Sequence, residues 1–392
     1  MPKTNFARKW TSLFLFFLPW FSLLGYLFLI LSLVGRLKKM NFFKVFNPSF
    51  SLFDFALFFL IVTVTISVIF SVDRFLSLGA FFLFLFYLLA LWVVRNSARE
   101  GLGEILVDAI LLAALVVTGF GIVQYLFNLN LNLNFSFFRL KISTRGGLSS
   151  TLGNPNRLAK YLVLVLPFVL STYSRKKGFF KVILIILFAM GIFCLGLTYS
   201  LGGIGAFGVT FLVFLMKKRW KWGILVLAVG GFLFMIKFDF LLSVIETYSS
   251  LENRLYTWEN VIWPIFSERS LFGTGLATYR VVFSRFSGNS LIVTSHAHNL
   301  YLNYLVELGI FGLGGLLFVF IVFFLNFCRT ESSSDKNKAL LEGCFLAILG
   351  ALVHASVETY IDYFQLGLLF WSIIGLGTGI VEQEKMTKKN YL

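Results

Sequence analysis

Residues 52–72 read LFDFALFFLIVTVTISVIFSV, an apolar run interrupted by one charge at Asp54. Roughly 20 such residues in a helix cross the hydrocarbon core of a bilayer, so the run is read as a membrane-spanning helix. Working outward, about eleven apolar runs alternate with charged or polar punctuation, near 11–34, 52–72, 75–94, 104–127, 157–174, 179–198, 201–216, 222–238, 299–327, 339–358 and 362–380. Composition agrees, because 392 residues that are 58% hydrophobic and 13% charged lack the polar surface to wrap a soluble globule. The expected fold is all-α: a polytopic transmembrane bundle of about 11–12 helices with a large, partly helical extracytoplasmic loop.

A net charge of +16 would suggest nucleic acid in a soluble chain. Here the cations sit in short clusters at the ends of apolar runs, as in Arg175-Lys176-Lys177 and Lys217-Lys218-Arg219, which the positive-inside rule explains without nucleic acid. The three cysteines, Cys194, Cys328 and Cys344, form neither a disulfide framework nor a metal cluster by their spacing. The run 11–34 is longer than a signal-peptide core and lacks a small-residue cleavage site, so it is expected to stay as an anchor.

Two connections are long, 128–156 and 239–298, and their aromatic and apolar content suggests that both fold over the bundle. The chain thus divides into N-terminal helices over 1–127, a first outer connection over 128–156, central helices over 157–238, a large outer loop over 239–298 and C-terminal helices with a basic tail over 299–392. Placing the Lys/Arg-rich short loops in the cytoplasm turns both long connections outward. The first run resists this scheme, since Lys3, Arg8 and Lys9 precede it while Arg36, Lys38 and Lys39 follow it, and an odd number of helices with a cytoplasmic tail would put the N-terminus outside.

The informative side chains are polar ones on the outward side. Gly203-Ile-Gly205-Ala-Phe-Gly208 satisfies a dinucleotide-binding pattern, but inside an apolar run it is read as close helix packing, as is Gly375-x-x-x-Gly379. Two of the three histidines fall in Ser295-His296-Ala297-His298-Asn299, where the large loop enters a helix. An imidazole there can take a proton from a hydroxyl near neutral pH. A zinc reading is weaker, because no third ligand stands nearby in sequence. Arg139 and Arg145 lie in the first outer connection, and Arg254, Arg269, Arg280 and Arg285 in the second. Guanidinium groups suit a diphosphate. Neither connection holds a tight carboxylate pair for Mg²⁺ or Mn²⁺, and no Walker phosphate loop is present. Glu307, His354 and Glu358 are ionisable groups within apolar runs; His354 and Glu358, four apart, are expected to share a helical face and pair. A proton relay of such groups would make the chain a transporter.

Four segments together resemble the O-antigen ligase and polymerase family of polytopic membrane enzymes. They are Arg145-Gly-Gly-Leu-Ser-Ser-Thr-Leu-Gly-Asn154-Pro155-Asn156-Arg-Leu-Ala; Leu197-Thr-Tyr-Ser200-Leu201-Gly-Gly; Arg254-Leu-Tyr-Thr-Trp258 with Ser270-Leu-Phe-Gly273-Thr-Gly275; and His298-Asn299-Leu-Tyr-Leu-Asn-Tyr-Leu-Val-Glu307-Leu-Gly309-Ile-Phe-Gly312. The resemblance implies a GT-C-like, inverting glycosyltransferase in the bacterial inner membrane, its active site facing the periplasm. It would move an oligo- or polysaccharide from undecaprenyl diphosphate to a hydroxyl of the lipid A core, without metal, ATP or any cofactor. His298 would be the base, and Arg145, Arg254, Arg280 and Arg285 would bind the diphosphate. Asn154, Asn156, Trp258, Asn299 and Glu307 would support them. A polymerase of the same family would instead use a second lipid-linked glycan as acceptor. In one departure, Leu201 stands where the family commonly has arginine, so either Arg139, Arg280 or Arg285 compensates or the substrate is held differently.

Overall fold

The computed structural model describes residues 5–38, 51–135, 138–142, 146–236, 254–286, 296–332, 334–360 and 363–391. Helices dominate it, and seven stretches are long and apolar enough to cross a membrane. In chain order the helices are α1 (Asn5–Phe17), α2 (Ser22–Leu37), α3 (Leu52–Ile69), α4 (Arg74–Ser97), α5 (Gly103–Leu126), α6 (Pro155–Thr172), α7 (Gly178–Leu197), α8 (Leu201–Ile236), α9 (Trp263–Glu268), α10 (Tyr279–Phe286), α11 (Leu300–Arg329), α12 (Asp335–His354) and α13 (Phe364–Tyr391). The first outer connection adds one element that hydropathy did not suggest, an antiparallel hairpin of β1 (Leu131–Phe135) and β2 (Phe138–Ile142), with Leu131 opposite Ile142.

The expected runs map onto these helices with three corrections. The run 11–34 is not one span: it breaks around Pro19 into α1 and α2, which fold back on each other, Thr11 Oγ1 lying 2.7 Å from Ser32 Oγ. Proline removes a backbone donor and disfavours helical geometry in the residue before it, which suits the reversal there. Among the described residues, Arg8 and Lys9 consequently come to the same end of the bundle as Arg36 and Lys38, where Arg36 meets Glu100 at 3.0 Å and Ser97 Oγ bonds Thr11. The conflict over the two basic flanks disappears with the hairpin. Second, α4 and α5 form one continuous stretch, Arg74–Leu126, bent where Gly101 adopts φ +87°, and α8 joins 201–216 to 222–238 across a bend at Arg219 in its basic cluster. Third, α6, with Asn156, Arg157 and Lys160 in its first two turns, is not one of the seven apolar stretches but is buried along most of its length.

Packing follows burial. Helices α6, α12 and α13 form the centre, with Trp371, Tyr161 and Phe168 fully enclosed, while α7 turns Phe179, Phe180, Ile185 and Ile186 outward as lipid-facing helices do. The small-residue reading holds for Gly375 and Gly379: a Cβ on either would lie 2.4 Å from Leu91 O or 2.2 Å from Arg95 O, so α13 approaches the backbone of α4. It holds only in part for the earlier motif. Gly203 faces Ala159, but Gly205 and Gly208 have nothing within 4 Å.

The basic end is tied by partly buried ion pairs. Arg95 on α4 bonds Asp54 of α3 at 2.5 Å and also Glu382 of α13. Removing one partner of such a group strands the others, which typically costs about 3–5 kcal/mol. Arg95→Met is therefore expected to lower the thermal unfolding midpoint in detergent markedly, whereas Lys388→Met, whose partner Glu331 is almost fully exposed, leaves it unchanged.

Candidate functional site

The opposite end carries the residues singled out above. Its centre is Glu358, in the short connection between α12 and α13, only 4% exposed. One carboxylate oxygen, Oε1, lies 3.3 Å from His296 Nε2, 3.4 Å from His298 Nδ1 and 3.6 Å from Lys160 Nζ, and accepts the Thr359 N–H at 3.1 Å. The other, Oε2, accepts from Asn156 Nδ2 at 3.4 Å. Burial pushes this carboxyl up, but the two histidines and the Lys160 ammonium outweigh burial and hold it well below the usual carboxylate range. Glu358 is therefore a fixed anion on which three basic side chains converge.

Local hydrogen bonds explain why the histidines arrive there. Asn299 caps α11 by accepting the Leu302 N–H at 3.0 Å, and its amide donates to Ser356 O at 2.9 Å. The Leu300 N–H donates to Ala355 O at 2.8 Å, so the start of α11 is stitched to the end of α12. Trp258 donates its indole N–H to Ala297 O at 2.8 Å, and the Ala297 N–H donates to Asn303 Oδ1 at 3.1 Å. Between these anchors His298 takes a left-handed backbone, φ +49°, a cost that surrounding contacts must hold in place. Its ring is 28% exposed; Nδ1 is buried beside Glu358 without a well-directed hydrogen bond, which leaves Nε2 as the outer nitrogen. Asn299 and Trp258 thus act on the position of His298.

A cavity of about 530 Å³ opens against this cluster, lined among others by Asn154, Asn156, Ser200, Leu201, Arg254 and Glu358. Arg254 is anchored there by donating to Val357 O at 2.6 Å, and among the described residues no other hydrogen bond of its guanidinium is seen. Asn154 caps α6 by accepting the N–H groups of Asn156 and Arg157, and Pro155 sits at the first helical position, where its missing donor costs nothing. A second cavity of about 280 Å³ reaches His296 from the other side, between Phe84, Tyr87, Leu276 and Tyr304.

Other expectations are met differently. Arg280 and Arg285 are exposed on α10 and line neither cavity. Arg145 lies outside the described residues, although the adjacent Gly146 lines the larger cavity. Glu307, in the wall of the smaller cavity, accepts the Tyr279 N–H at 3.2 Å, and its carbonyl accepts from Ser67 Oγ and the Gly275 N–H. It braces the large loop against α3 and α11. The α11 bend beside it needs Gly309, at φ +67°, where a Cβ would lie 2.3 Å from Leu271 O. His354 and Glu358 do not pair: α12 ends at His354, whose Nδ1 meets Tyr360 Oη at 3.2 Å.

Sequence reasoning missed two partners. Lys160 was hidden in the run 157–174, although a lysine inside an apolar helix is itself a signal of a buried counter-charge. Glu358 was assigned to His354 by helical spacing, which the end of α12 invalidates. The third ligand that the zinc reading lacked is also this residue. His296, His298 and Glu358 hold one potential ligand atom each within 4.8 Å of one another, but the Lys160 ammonium already neutralises the oxygen that both histidines approach.

Taken together, fold and site define a multi-pass membrane protein with a histidine–carboxylate cluster and an arginine-lined cavity at one end. Residues 158–319 match the family model described as O-antigen ligase, which supports the resemblance carried by the four segments. That match contains the second, third and fourth segments and begins within the end of the first. No curated protein matches the chain.

Proposed function

We propose that this protein is an inverting membrane glycosyltransferase of the O-antigen ligase type. It transfers an oligo- or polysaccharide from undecaprenyl diphosphate to a hydroxyl of the lipid A core, at the periplasmic face of the bacterial inner membrane and without metal or ATP. The family match supports the coarser class, a membrane glycosyltransferase of ligase or polymerase type. The observation that carries the finer reading is the convergence of His298 and His296 on Glu358, beside a cavity that also holds Arg254.

In this reading the acceptor hydroxyl gives its proton to His298 Nε2 as its oxygen bonds the anomeric carbon. The bond from that carbon to the phosphate oxygen breaks, and undecaprenyl diphosphate leaves. Arg254 meets the charge that grows on the leaving group, the role in which a preorganised cation is most effective. Glu358, 3.4 Å from Nδ1, stabilises the imidazolium by its charge, as a carboxylate beside a catalytic histidine does. Direct displacement inverts the anomeric configuration.

The test is transfer by purified protein from an undecaprenyl-diphosphate-linked repeat unit, with products resolved by mass. A product that appears only with lipid A core supports the ligase reading, while a ladder grown from donor alone would make the chain a polymerase. EDTA is expected to leave the rate unchanged. Loss of activity in EDTA, restored by Zn²⁺, would overturn the metal-free mechanism and assign His296, His298 and Glu358 as ligands.

A further inference from the structure

Leu201 stands where the resemblance implies an arginine, in the segment that borders the larger cavity; neither Arg280 nor Arg285 lines that cavity, and the Arg139 side chain lies outside the described ones. What meets the cavity there is the start of α8. The Ile204 N–H donates to Ser200 O at 2.9 Å, the first bond of the helical ladder, so the N–H groups of Leu201, Gly202 and Gly203 precede it. None of the three has an acceptor among the described residues. The start of α6 next to it contrasts with this, since the Asn154 side chain takes up two of its N–H groups.

Three side chains around this helix start are equally poised. Ser200 is 7% exposed, lines the cavity, and its hydroxyl has no hydrogen-bond partner among the described residues. His354 is 1% exposed and also lines the cavity. With Nδ1 committed to Tyr360, its Nε2 lies 3.3 Å from where a Cβ on Gly202 would stand, and it too lacks a partner among the described residues. Arg254 completes the ring. Glycine is needed for the approach: a Cβ on Gly202 would lie 2.6 Å from Val357 Cγ2, and one on Gly203 2.7 Å from Ala159 Cβ.

We propose that the uncapped start of α8, with the Ser200 hydroxyl, His354 Nε2 and the Arg254 guanidinium, binds one phosphate of the lipid-linked donor and so supplies the positive potential that the resemblance assigns to an arginine at position 201. The inference rests on the reading of the donor as a diphosphate. Its physical basis is that free N–H groups and the positive end of a helix dipole together favour an anion. It also makes position 201 a dispensable place for charge but not for a peptide N–H. Proline suits the first position of a helix, so Leu201→Pro deletes one donor without breaking α8 or changing charge. Leu201→Arg restores the cation.

The experiment is calorimetric titration of the purified full chain in detergent with inorganic diphosphate and, separately, with farnesyl diphosphate, alongside thermal unfolding of each variant. Leu201→Pro is expected to weaken both ligands about tenfold at an unchanged unfolding midpoint, Ser200→Ala to weaken them by a smaller factor, and Leu201→Arg to tighten them. If the wild type and Leu201→Pro bind alike while Arg254→Ala loses binding, the diphosphate reading stands and the α8 site is overturned. If the wild type binds neither ligand, both are overturned. Binding of farnesyl diphosphate alone would identify the lipid-linked form as the species held, whereas inorganic diphosphate binding with the same variant pattern assigns the recognition to the phosphates themselves.

Discussion

Replacing His298 with alanine is expected to slow glycosyl transfer by about 10²–10⁴-fold, the usual contribution of a positioned general base, while leaving donor affinity and the unfolding midpoint near those of the wild type. The donor groups, Arg254 and the α8 start, do not depend on this ring. His298 is also 28% exposed and packs no core, so alanine there opens no enclosed cavity. His296 provides the internal control. It shares Glu358 Oε1 but lines the smaller cavity, which Arg254 does not reach, so His296→Ala is expected to cost far less in kcat. Steady-state kinetics of both variants with the same lipid-linked donor decide the assignment. Equal losses would mean that the two rings act as a unit, and a loss confined to His296→Ala would transfer the role of base to His296.

The second large effect belongs to Glu358. Glu358→Ala removes the carboxylate 3.6 Å from the Lys160 ammonium, which is 1% exposed, and takes away the anion that both histidines approach. Removing one partner of a buried pair typically costs about 3–5 kcal/mol, so this variant should lose both stability and activity. Two companions separate the contributions. Glu358→Gln keeps the shape but not the charge, and Lys160→Met combined with Glu358→Gln removes the buried cation as well and is expected to recover stability without recovering transfer. The sign of the pH effect follows from the depressed carboxyl. Its contribution is complete above the ordinary carboxylate value of 4.5 and is lost only as pH falls toward the lower value in the folded state. Thermal unfolding midpoints of the wild type should therefore fall more steeply below that pH than those of the double variant.

How far the residues alone reached can be argued from these same positions. Spanning helices were legible because hydropathy reports directly on the bilayer, and the run 179–198 became α7 nearly residue for residue. Hydropathy does not report direction, so the reversal at Pro19 was invisible within 11–34 until α1 and α2 were seen to bond through Thr11 and Ser32. His298, Asn299, Trp258 and Arg254 were legible because each stands out as polar or aromatic at a loop-to-helix junction. The partners of His298 were not. Glu358 is 60 residues away, and only the backbone bonds from Leu300 to Ala355 and from Asn299 to Ser356 bring it in. Backbone donors carry no mark in a sequence, which is why Leu201, where the resemblance implies an arginine, pointed to other arginines and not to the N–H groups beside it.

The central claim is direct displacement on a lipid-linked sugar by an acceptor whose proton passes to the histidine–carboxylate cluster. The configuration at the anomeric carbon tests it most directly, read by NMR on product made by the purified wild type in EDTA and compared with the donor. The account predicts inversion. Retention would require a covalent or double-displacement route that this arrangement of His298, Glu358 and Arg254 does not provide, and would contradict it.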